Sequence, residues 1–176
     1  MVFHKIVREW CRTYKPMLDS VENGNRRFYL TDSTGGVVEM AKGIANQMSP
    51  MVIMESTIEG YMRGGKIYRN YPIYFFVRAE NMSSGDDAAA AKEEAWWHCQ
   101  NFLTWLRYRH DNDTTAEQDY ARIDMEDSID IQTAGPLENG WFAVMIQLER
   151  LELANLCVDE NLYVTEEDEE EEGGEG

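Results

Sequence analysis

Apolar residues recur at helical spacing most clearly between Asp86 and Arg109. They form one broad face: Ala88, Ala91, Ala95, Trp96, Cys99, Phe102, Leu103 and Leu106. A stripe of this width is typical of a helix that covers a sheet. Capping oxygens and negative charge precede it, at Ser83, Ser84, Asp86 and Asp87, and positive charge follows it, at Arg107, Arg109 and His110. The helix dipole favours this order of charges, so the pattern predicts a long helix with well-marked ends.

Two shorter helical patterns come before this helix. The first covers Val2 to Tyr14 and places Phe3, Ile6, Val7 and Trp10 on one face. This helix either docks on the core of its own chain or extends to a neighbouring subunit. The second runs from Val37 to Met48, and Ser49-Pro50 ends it, because the residue before a proline is disfavoured in a helix.

Apolar and β-branched runs between turn residues predict the strands. The runs are 28–30, 51–59, a strand that begins at Ile67 or Tyr71 and has its strongest run at 73–79, a partly irregular run at 123–131, 141–153 and a short terminal run at 155–164. Gly64-Gly65 marks the tip of a long hairpin, and Asn139-Gly140 precedes the final long strand. This order indicates an α+β fold with a single mostly antiparallel or mixed sheet. We expect the long helix and the N-terminal helices to cover one face of that sheet.

The charge of the chain is unevenly distributed. The net charge is −17, and only two of the 16 Lys and Arg residues follow Arg109, whereas 21 of the 33 Asp and Glu residues do. The last stretch, TEEDEEEEGGEG, has nothing to bury, so we interpret 1–164 as a single domain and 165–176 as a disordered acidic tail. Such acidity argues against a protein whose main task is to bind phosphate backbones.

The segment from Val2 to Tyr14 is interrupted by charges, and no apolar run is long enough to span a membrane. Cys11, Cys99 and Cys157 are odd in number and lie in apolar surroundings, which indicates reduced thiols rather than a disulfide framework. We therefore expect a soluble protein of the cytoplasm that has no membrane partner.

No motif of a known catalytic class is present. The three histidines lack the spacing of a metal site, and the glycine pairs lack the flanking residues of a phosphate-binding loop. The carboxylates of Asp124, Glu126, Asp127 and Asp130 could do acid and base chemistry, but they are better explained as a solvated strand edge. The expectation is therefore that the protein is no enzyme and has no catalytic residue, no metal and no cofactor.

Two groups of residues are candidates for contacts with partners. Trp97 and Tyr108 project away from the apolar stripe of the long helix and Trp105 lies at its margin, so a second part of the chain or another subunit should cover them. The hairpin combines positive and aromatic side chains: Tyr61, Arg63, Lys66, Tyr68 and Arg69. This composition suits a weak contact with nucleic acid or with an acidic protein surface, although an ordinary exposed hairpin explains it as well.

The order of elements resembles a known family. The run MVIMESTIE, then YPIYFFVRA, then AAAAKEEAWWHCQNFLTWLRYR and finally TAGPLENGWFAVMIQLERLEL is similar to the tail completion proteins of tailed bacteriophages and prophages, the tail terminators and neck proteins. The similarity covers Val37 to Leu153. It implies a sheet with helices on one face, and copies that join into a ring, usually of six, at the end of the tail tube.

These observations together lead to a structural assembly protein as the expected function. The partners would be further copies of the chain, the phage tail tube and head or neck proteins. The location would be the bacterial host cytoplasm during assembly and the virion tail or neck afterwards. Two alternatives stay open: a monomeric acidic adaptor or inhibitor that binds a basic partner, and a small enzyme without a recognisable motif.

Overall fold

A computed structural model describes residues 3–19, 24–32, 34–43, 48–56, 59–114, 119–126, 129–137 and 140–152. The predicted terminal strand at 155–164 and the predicted acidic tail at 165–176 lie outside these described residues. The elements in chain order are α1 (Phe3–Thr13), β1 (Phe28–Thr31), α2 (Thr34–Gly43), β2 (Met51–Glu55), β3 (Gly60–Arg63), β4 (Lys66–Arg78), α3 (Gly85–Asp111), β5 (Ile131–Ala134) and β6 (Trp141–Glu152).

The strands form one mixed sheet in the order β1-β2-β4-β6-β5, and β3 pairs with β4. β1 and β2 are parallel, and every other pair is antiparallel. The turn between β3 and β4 uses Gly64 and Gly65 at φ of 57° and 73°, a backbone region that suits glycine and explains the glycine pair. The predicted α+β class with a mixed sheet is confirmed.

The centre of the sheet is the pairing of β4 with β6, which runs from Ile67 opposite Glu152 to Arg78 opposite Trp141. Successive side chains of a strand point to opposite faces, and here both faces are apolar. Phe75 and Val144 belong to the core on one face, and Phe76 and Ala143 belong to the core on the other. Each face therefore needs a helix to cover it.

α3 and α1 cover the first face. The buried side chains of α3 follow the predicted stripe and include Ala91, Ala95, Cys99, Phe102 and Leu106. Trp10 of α1 contributes to the same core, with its ring centroid 5.3 Å from that of Phe102 and 5.9 Å from that of Phe75. The N-terminal helix thus docks on its own chain.

α2 covers the opposite face, where Val37 and Ala41 share a core cluster with Ile53, Phe76 and Trp141. The sequence analysis placed all helices on one face, and the position of α2 differs from that expectation. The reason is the apolar character of both faces of β4 and β6, since the second face would otherwise expose large aromatic residues to water.

Two further predictions differ in detail. The second helix begins earlier than expected, at Thr34. The predicted strand at 123–131 is reduced to β5 and an isolated bridge between Ile123 and Arg150. On either side of residues 127–128, which lie outside the described part of the chain, Asp124 donates its N–H to the Glu149 carbonyl at 2.8 Å and the Asp130 carbonyl accepts the N–H of Gln147 at 3.4 Å. These contacts with β6 do not form a regular ladder.

A buried ion pair anchors this irregular segment to the sheet. Arg150 is 4% exposed and Asp119 is 6% exposed, and the Arg150 guanidinium donates to the Asp119 carboxylate at 3.0 Å. Arg122 donates to the same oxygen at 3.0 Å. A buried carboxylate and a buried guanidinium each compensate the charge of the other. The loss of either side chain therefore leaves an uncompensated charge in the core.

We predict that Asp119→Ala lowers the free energy of unfolding by about 3 to 5 kcal/mol, because it leaves Arg150 buried without its carboxylate. The matched control is Asp124→Ala, which removes a carboxylate from an ion pair with the half-exposed Arg63. Asp124 is partly exposed and also accepts the N–H of Glu126, and a pair of this kind near the surface contributes about 1 kcal/mol, less than the buried pair does. Urea unfolding measures both values, and equal losses would contradict the prediction.

Candidate functional site

The candidate site is a groove between α1 and α3 on the outer side of the first helical layer. It has a volume of about 450 Å³ and is lined by Trp10, Thr13, Tyr14, Asn101, Thr104, Trp105 and Tyr108. Four of these seven side chains are aromatic, and we refer to this feature as the aromatic groove. The α3 residues recur at helical spacing, so they share one side of the helix. A volume of this size suits a small ligand or a few side chains of another segment.

Tyr14, His98 and Glu94 link α1 to α3 beside the groove. The Glu94 carboxylate lies 3.3 Å from Nε2 of His98, and the Tyr14 hydroxyl lies 3.1 Å from Nδ1. Because a carboxylate only accepts hydrogen bonds, Nε2 carries the proton and Nδ1 accepts the bond from Tyr14. Burial raises the pKa of Tyr14 to about 12, with a further contribution from the negative charge of Glu94, so the phenol stays protonated as the donor.

Glu9, Arg109 and Tyr120 form a second link between the two helices. The carboxylate of Glu9 pairs with the Arg109 guanidinium and accepts a hydrogen bond from the Tyr120 hydroxyl at 2.8 Å. Arg109 also lies over the ring of Trp105, 5.5 Å from its centroid. Burial and the bond to Glu9 raise the pKa of Tyr120 to about 12. The two links hold α1 and α3 in a defined relation and so determine the width of the groove.

The polar side chains of the groove use their hydrogen bonds on their own helices. The Thr13 hydroxyl donates to the Glu9 carbonyl at 3.1 Å, the Thr104 hydroxyl to the Gln100 carbonyl at 2.9 Å, and the Asn101 amide to the Trp97 carbonyl at 2.8 Å. These groups therefore need few hydrogen bonds from an occupant. The groove suits an apolar or aromatic side chain better than a charged ligand.

The three aromatic residues that the sequence placed on the outer side of α3 have different environments. Tyr108 is 65% exposed and Trp97 is 48% exposed, although Trp97 contacts Tyr14 with ring centroids 6.1 Å apart. Trp105 is only partly exposed, because it packs on Phe102 and meets Tyr120 edge to face at 6.0 Å. Trp105 thus belongs to the core margin and the groove wall, and Trp97 and Tyr108 form the outer surface.

The hairpin residues predicted as a contact are partly brought together. The rings of Tyr61 and Tyr68 stack at 5.6 Å, and Arg63 lies over Tyr68 at 4.8 Å. Arg63 also pairs with Asp124 at 3.5 Å, and Tyr61 donates to the Glu149 carboxylate. Lys66 lies opposite Arg63 in the hairpin, whereas the alternation of the strand directs Arg69 to the other face. Acidic neighbours thus offset much of the positive charge that the sequence suggested.

Most residues that build the groove or its links were not among the candidates that the sequence suggested, and four of them illustrate why. Trp10 was identified on the apolar face of α1 and Tyr14 as the last residue of that helical pattern, but neither was identified as a wall of a shared groove. No sequence pattern indicated a role for Glu9 or Tyr120. Glu9 lies among the charged residues of α1, and Tyr120 follows a long polar stretch. Their alignment depends on contacts between residues about a hundred positions apart in the chain.

The titratable side chains that could take part in catalysis have the following environments in the described part of the chain. Among them, no group of three or more His, Cys, Asp or Glu residues is arranged to hold a metal ion. Burial raises the pKa of the Cys99 thiol to about 12 and that of the Cys11 thiol well above its ordinary value, so neither is a thiolate near neutral pH. Of the carboxylates considered in the sequence analysis, Asp124 pairs with Arg63, and Asp127 lies outside the described residues.

Within the described part of the chain, no helix combines the length and the apolar character needed to cross a membrane. No protein-family model matches the sequence, and a search of curated proteins finds no match either.

We predict that Trp105→Ala lowers the free energy of unfolding by about 2 to 4 kcal/mol, because it removes a large side chain packed on Phe102 and Tyr120. Tyr108→Ala, one turn further along the same helix, should change it by no more than about 0.5 kcal/mol, because its ring is mostly in water. Urea unfolding of both variants tests this contrast, and a larger loss for Tyr108→Ala would contradict it.

Because of His98, we predict that the free energy of unfolding depends on pH. Burial, together with the positive charge of Arg27, lowers the pKa of His98 below its ordinary 6.5, and the hydrogen bond to Glu94 only partly opposes this. The unfolded chain therefore takes up a proton at a higher pH than the folded protein does. The contribution of neutral His98 to the free energy of unfolding is complete above about pH 6.5. It is lost as the pH falls toward the lowered pKa of His98 in the folded protein.

The measurement is the free energy of unfolding at pH 7.5 and pH 5.5 for the wild type and for His98→Gln. Glutamine preserves a hydrogen-bonding side chain that does not titrate, so the variant should lose less stability between the two pH values than the wild type does. Identical losses in the two proteins would show that His98 has no part in the pH dependence.

Proposed function

We propose that this protein is a structural component of phage or prophage assembly, a tail terminator or neck protein that acts as a homo-oligomeric ring. The observation that carries the proposal is the aromatic surface of α3, where Trp97 and Tyr108 remain exposed beside the aromatic groove. Exposed aromatic residues grouped on one surface are characteristic of contacts with other proteins. Such a role requires no catalytic residue, metal or cofactor.

The shape of the subunit supports a ring. The aromatic surface lies on one side of the molecule, and in the proposed ring a neighbour binds it with a different surface of its own. Contacts of this head-to-tail kind produce closed rings when the rotation between neighbours closes. The outer strands of the described sheet, β1 and β5, each have four residues, and β5 is mostly exposed. Short edge strands discourage strand pairing with other chains, so the proposed contact between copies relies on the aromatic surface and not on the sheet edges.

The assignment to a phage tail rests on the order of elements. A hairpin, a long helix and a final hairpin follow one another in this chain as they do in the tail completion proteins that it resembles. The position of α2 on the second face departs from the arrangement that the resemblance implies. In the proposed mechanism, one rim of the ring binds the end of the tail tube and blocks further addition, while the other meets the head or neck proteins.

The alternative of an acidic adaptor has one specific observation in its favour. The part of the chain after Arg109 contains 21 acidic and only two basic residues, a distribution suited to a basic protein partner. An adaptor of this kind would be monomeric, and added salt would weaken its binding steeply. The ring depends mainly on aromatic contacts and should tolerate salt better.

We predict that the double variant Trp97→Ser and Tyr108→Ser lowers the molar mass in solution from that of an oligomer to that of a monomer and leaves the fold intact. The reason is that both side chains lie at the surface, so their loss removes contact area without opening the core. The matched control, Met62→Ser and Met82→Ser, removes two exposed apolar side chains elsewhere and should stay oligomeric. Light scattering measures the mass, and urea unfolding checks the fold.

Some ring proteins assemble only on their target, so the second measurement uses the target itself. The wild type is mixed with tail tubes of the phage or prophage that encodes it, and electron microscopy should reveal a ring of density at the tube end. Bare tube ends, together with a monomeric protein in solution, would overturn the proposal. Genes for tail tube, tape-measure or portal proteins beside this gene would support it, and a metabolic operon would contradict it.

A further inference from the structure

We propose that residues 153–164 of the same chain occupy the aromatic groove. The segment reads LANLCVDENLYV and directly follows β6. This inference goes beyond the assembly role, because it concerns what covers the groove within a single subunit. Tyr108 borders both surfaces, whereas Trp97 does not line the groove and stays available to a neighbouring copy. Its basis is the point at which the chain leaves the sheet, the pairing of β6 on both of its edges, and the chemistry of the segment.

The chain leaves the sheet beside the start of α1. β6 ends at Glu152, whose carboxylate accepts a hydrogen bond from the Tyr71 hydroxyl at 2.9 Å. The ring of Tyr71 in turn contacts Phe3, the first residue of α1, with centroids 4.3 Å apart. Both Tyr71 and Phe3 belong to the core on the α1 and α3 face. The last described residue of the chain, Glu152, is therefore linked through Tyr71 to the helix that forms one wall of the groove.

Both edges of β6 near its end are already occupied. β4 pairs with one edge as far as Glu152. On the other edge, Leu151 donates its N–H to the Arg122 carbonyl at 2.8 Å, and Asp124 donates to the Glu149 carbonyl at 2.8 Å. If the chain after Glu152 turned back as a further strand, it could not pair with this end of β6 without displacing β4 or breaking these hydrogen bonds. The surface of α1 and α3 is the nearest alternative for apolar residues that leave the sheet here.

The segment is long enough to reach the groove. Phe3 and Trp10 are both on α1, so the groove begins about 10 Å along the helix from the point where the chain leaves the sheet. Twelve extended residues span up to about 40 Å. The segment can therefore cross the whole groove, and the remaining residues can continue over the surface of α1.

The composition of the segment matches the groove. Its larger apolar side chains are Leu153, Leu156, Val158, Leu162, Tyr163 and Val164. The groove presents aromatic rings, and its threonine and asparagine side chains hydrogen-bond to their own helices. Apolar side chains removed from water against such rings gain about 25 cal/mol for each Å² that is buried.

The charge of the acidic residues that follow the segment also favours a position along α1. Residues 166–172 read EEDEEEE. The outer side of α1 and its C-terminal end carry Lys5, Arg8, Arg12 and Lys15 at helical spacing, and Lys5, Arg12 and Lys15 are exposed. Attraction between the acidic run and this basic stripe would hold the end of the chain on α1 and would weaken as salt is added.

The first test uses the full chain with Leu156→Glu and Leu162→Glu. Charged side chains are poorly accommodated against aromatic rings, so the segment should leave the groove. Hydrogen exchange should then rise severalfold in the α1 and α3 peptides that contain Trp10 and Trp105. The matched control, Asn155→Glu and Asn161→Glu, adds the same two charges at polar positions and should exchange like the wild type. No difference between the two variants would overturn the proposal.

The second test uses the native thiol of Cys157. Cys11 and Cys99 are fully buried, so a thiol introduced into the groove would meet Cys157 without competition from them. We expect oxidation to join Cys157 to at least one of Thr13→Cys, Asn101→Cys or Thr104→Cys within a single chain, and not to Glu93→Cys on the exposed side of α3. Disulfide formation requires Cα atoms within about 7 Å.

Cross-links found only between two chains would show that the segment serves a neighbouring copy, and no cross-link at any groove position would show that it lies elsewhere. Either result overturns the proposal. The readout is a bond within a monomer, so it is independent of the molar mass and of the binding to tail tubes that test the assembly role.

Discussion

The antiparallel pairing of β4 with β6 is the contact on which the rest of the structure depends. Both strands carry large apolar side chains on both faces, as Phe75 and Phe76 do on β4. A strand pair of this kind is stable only when each face is covered. The layers on the two sides, α1 with α3 and α2 alone, follow from that requirement, and the irregular segment held by the Asp119 and Arg150 pair closes the free edge of β6.

The groove is a consequence of how the first face is covered. α3 supplies the main stripe, and α1 adds Trp10 to the same core at the flank of α3. Two helices that pack side by side leave a groove between them on their outer side, and here aromatic side chains line this groove. Glu9 with Arg109, and Tyr14 with His98, join the two helices beside this groove and so support its walls.

Much of this architecture could be predicted from local patterns. The apolar stripe and the capping residues of α3 gave its ends, and the side chain of Ser84 does accept the N–H of Asp87 at 3.2 Å. The apolar run at 141–153 predicted β6, and the glycine pair predicted the hairpin turn. The run at 123–131 was misread as a strand because its isoleucines are spaced like one face, while its backbone bonds to β6 irregularly. The position of α2 was missed because an apolar stripe does not identify the face of the sheet that it will meet.

The sequence by itself determined which side chains turn away from water and which segments repeat with the period of a helix or a strand, because those properties depend on neighbours a few positions away. It also identified Trp97 and Tyr108 as residues of an outer surface. Only the tertiary structure decided that Trp105 packs on Tyr120, that Trp10 and Tyr14 share a groove with Thr104 and Tyr108, and that β6 ends beside Phe3. These relations join residues that are far apart in the chain, and packing selects them from many pairings that local periodicity permits equally well.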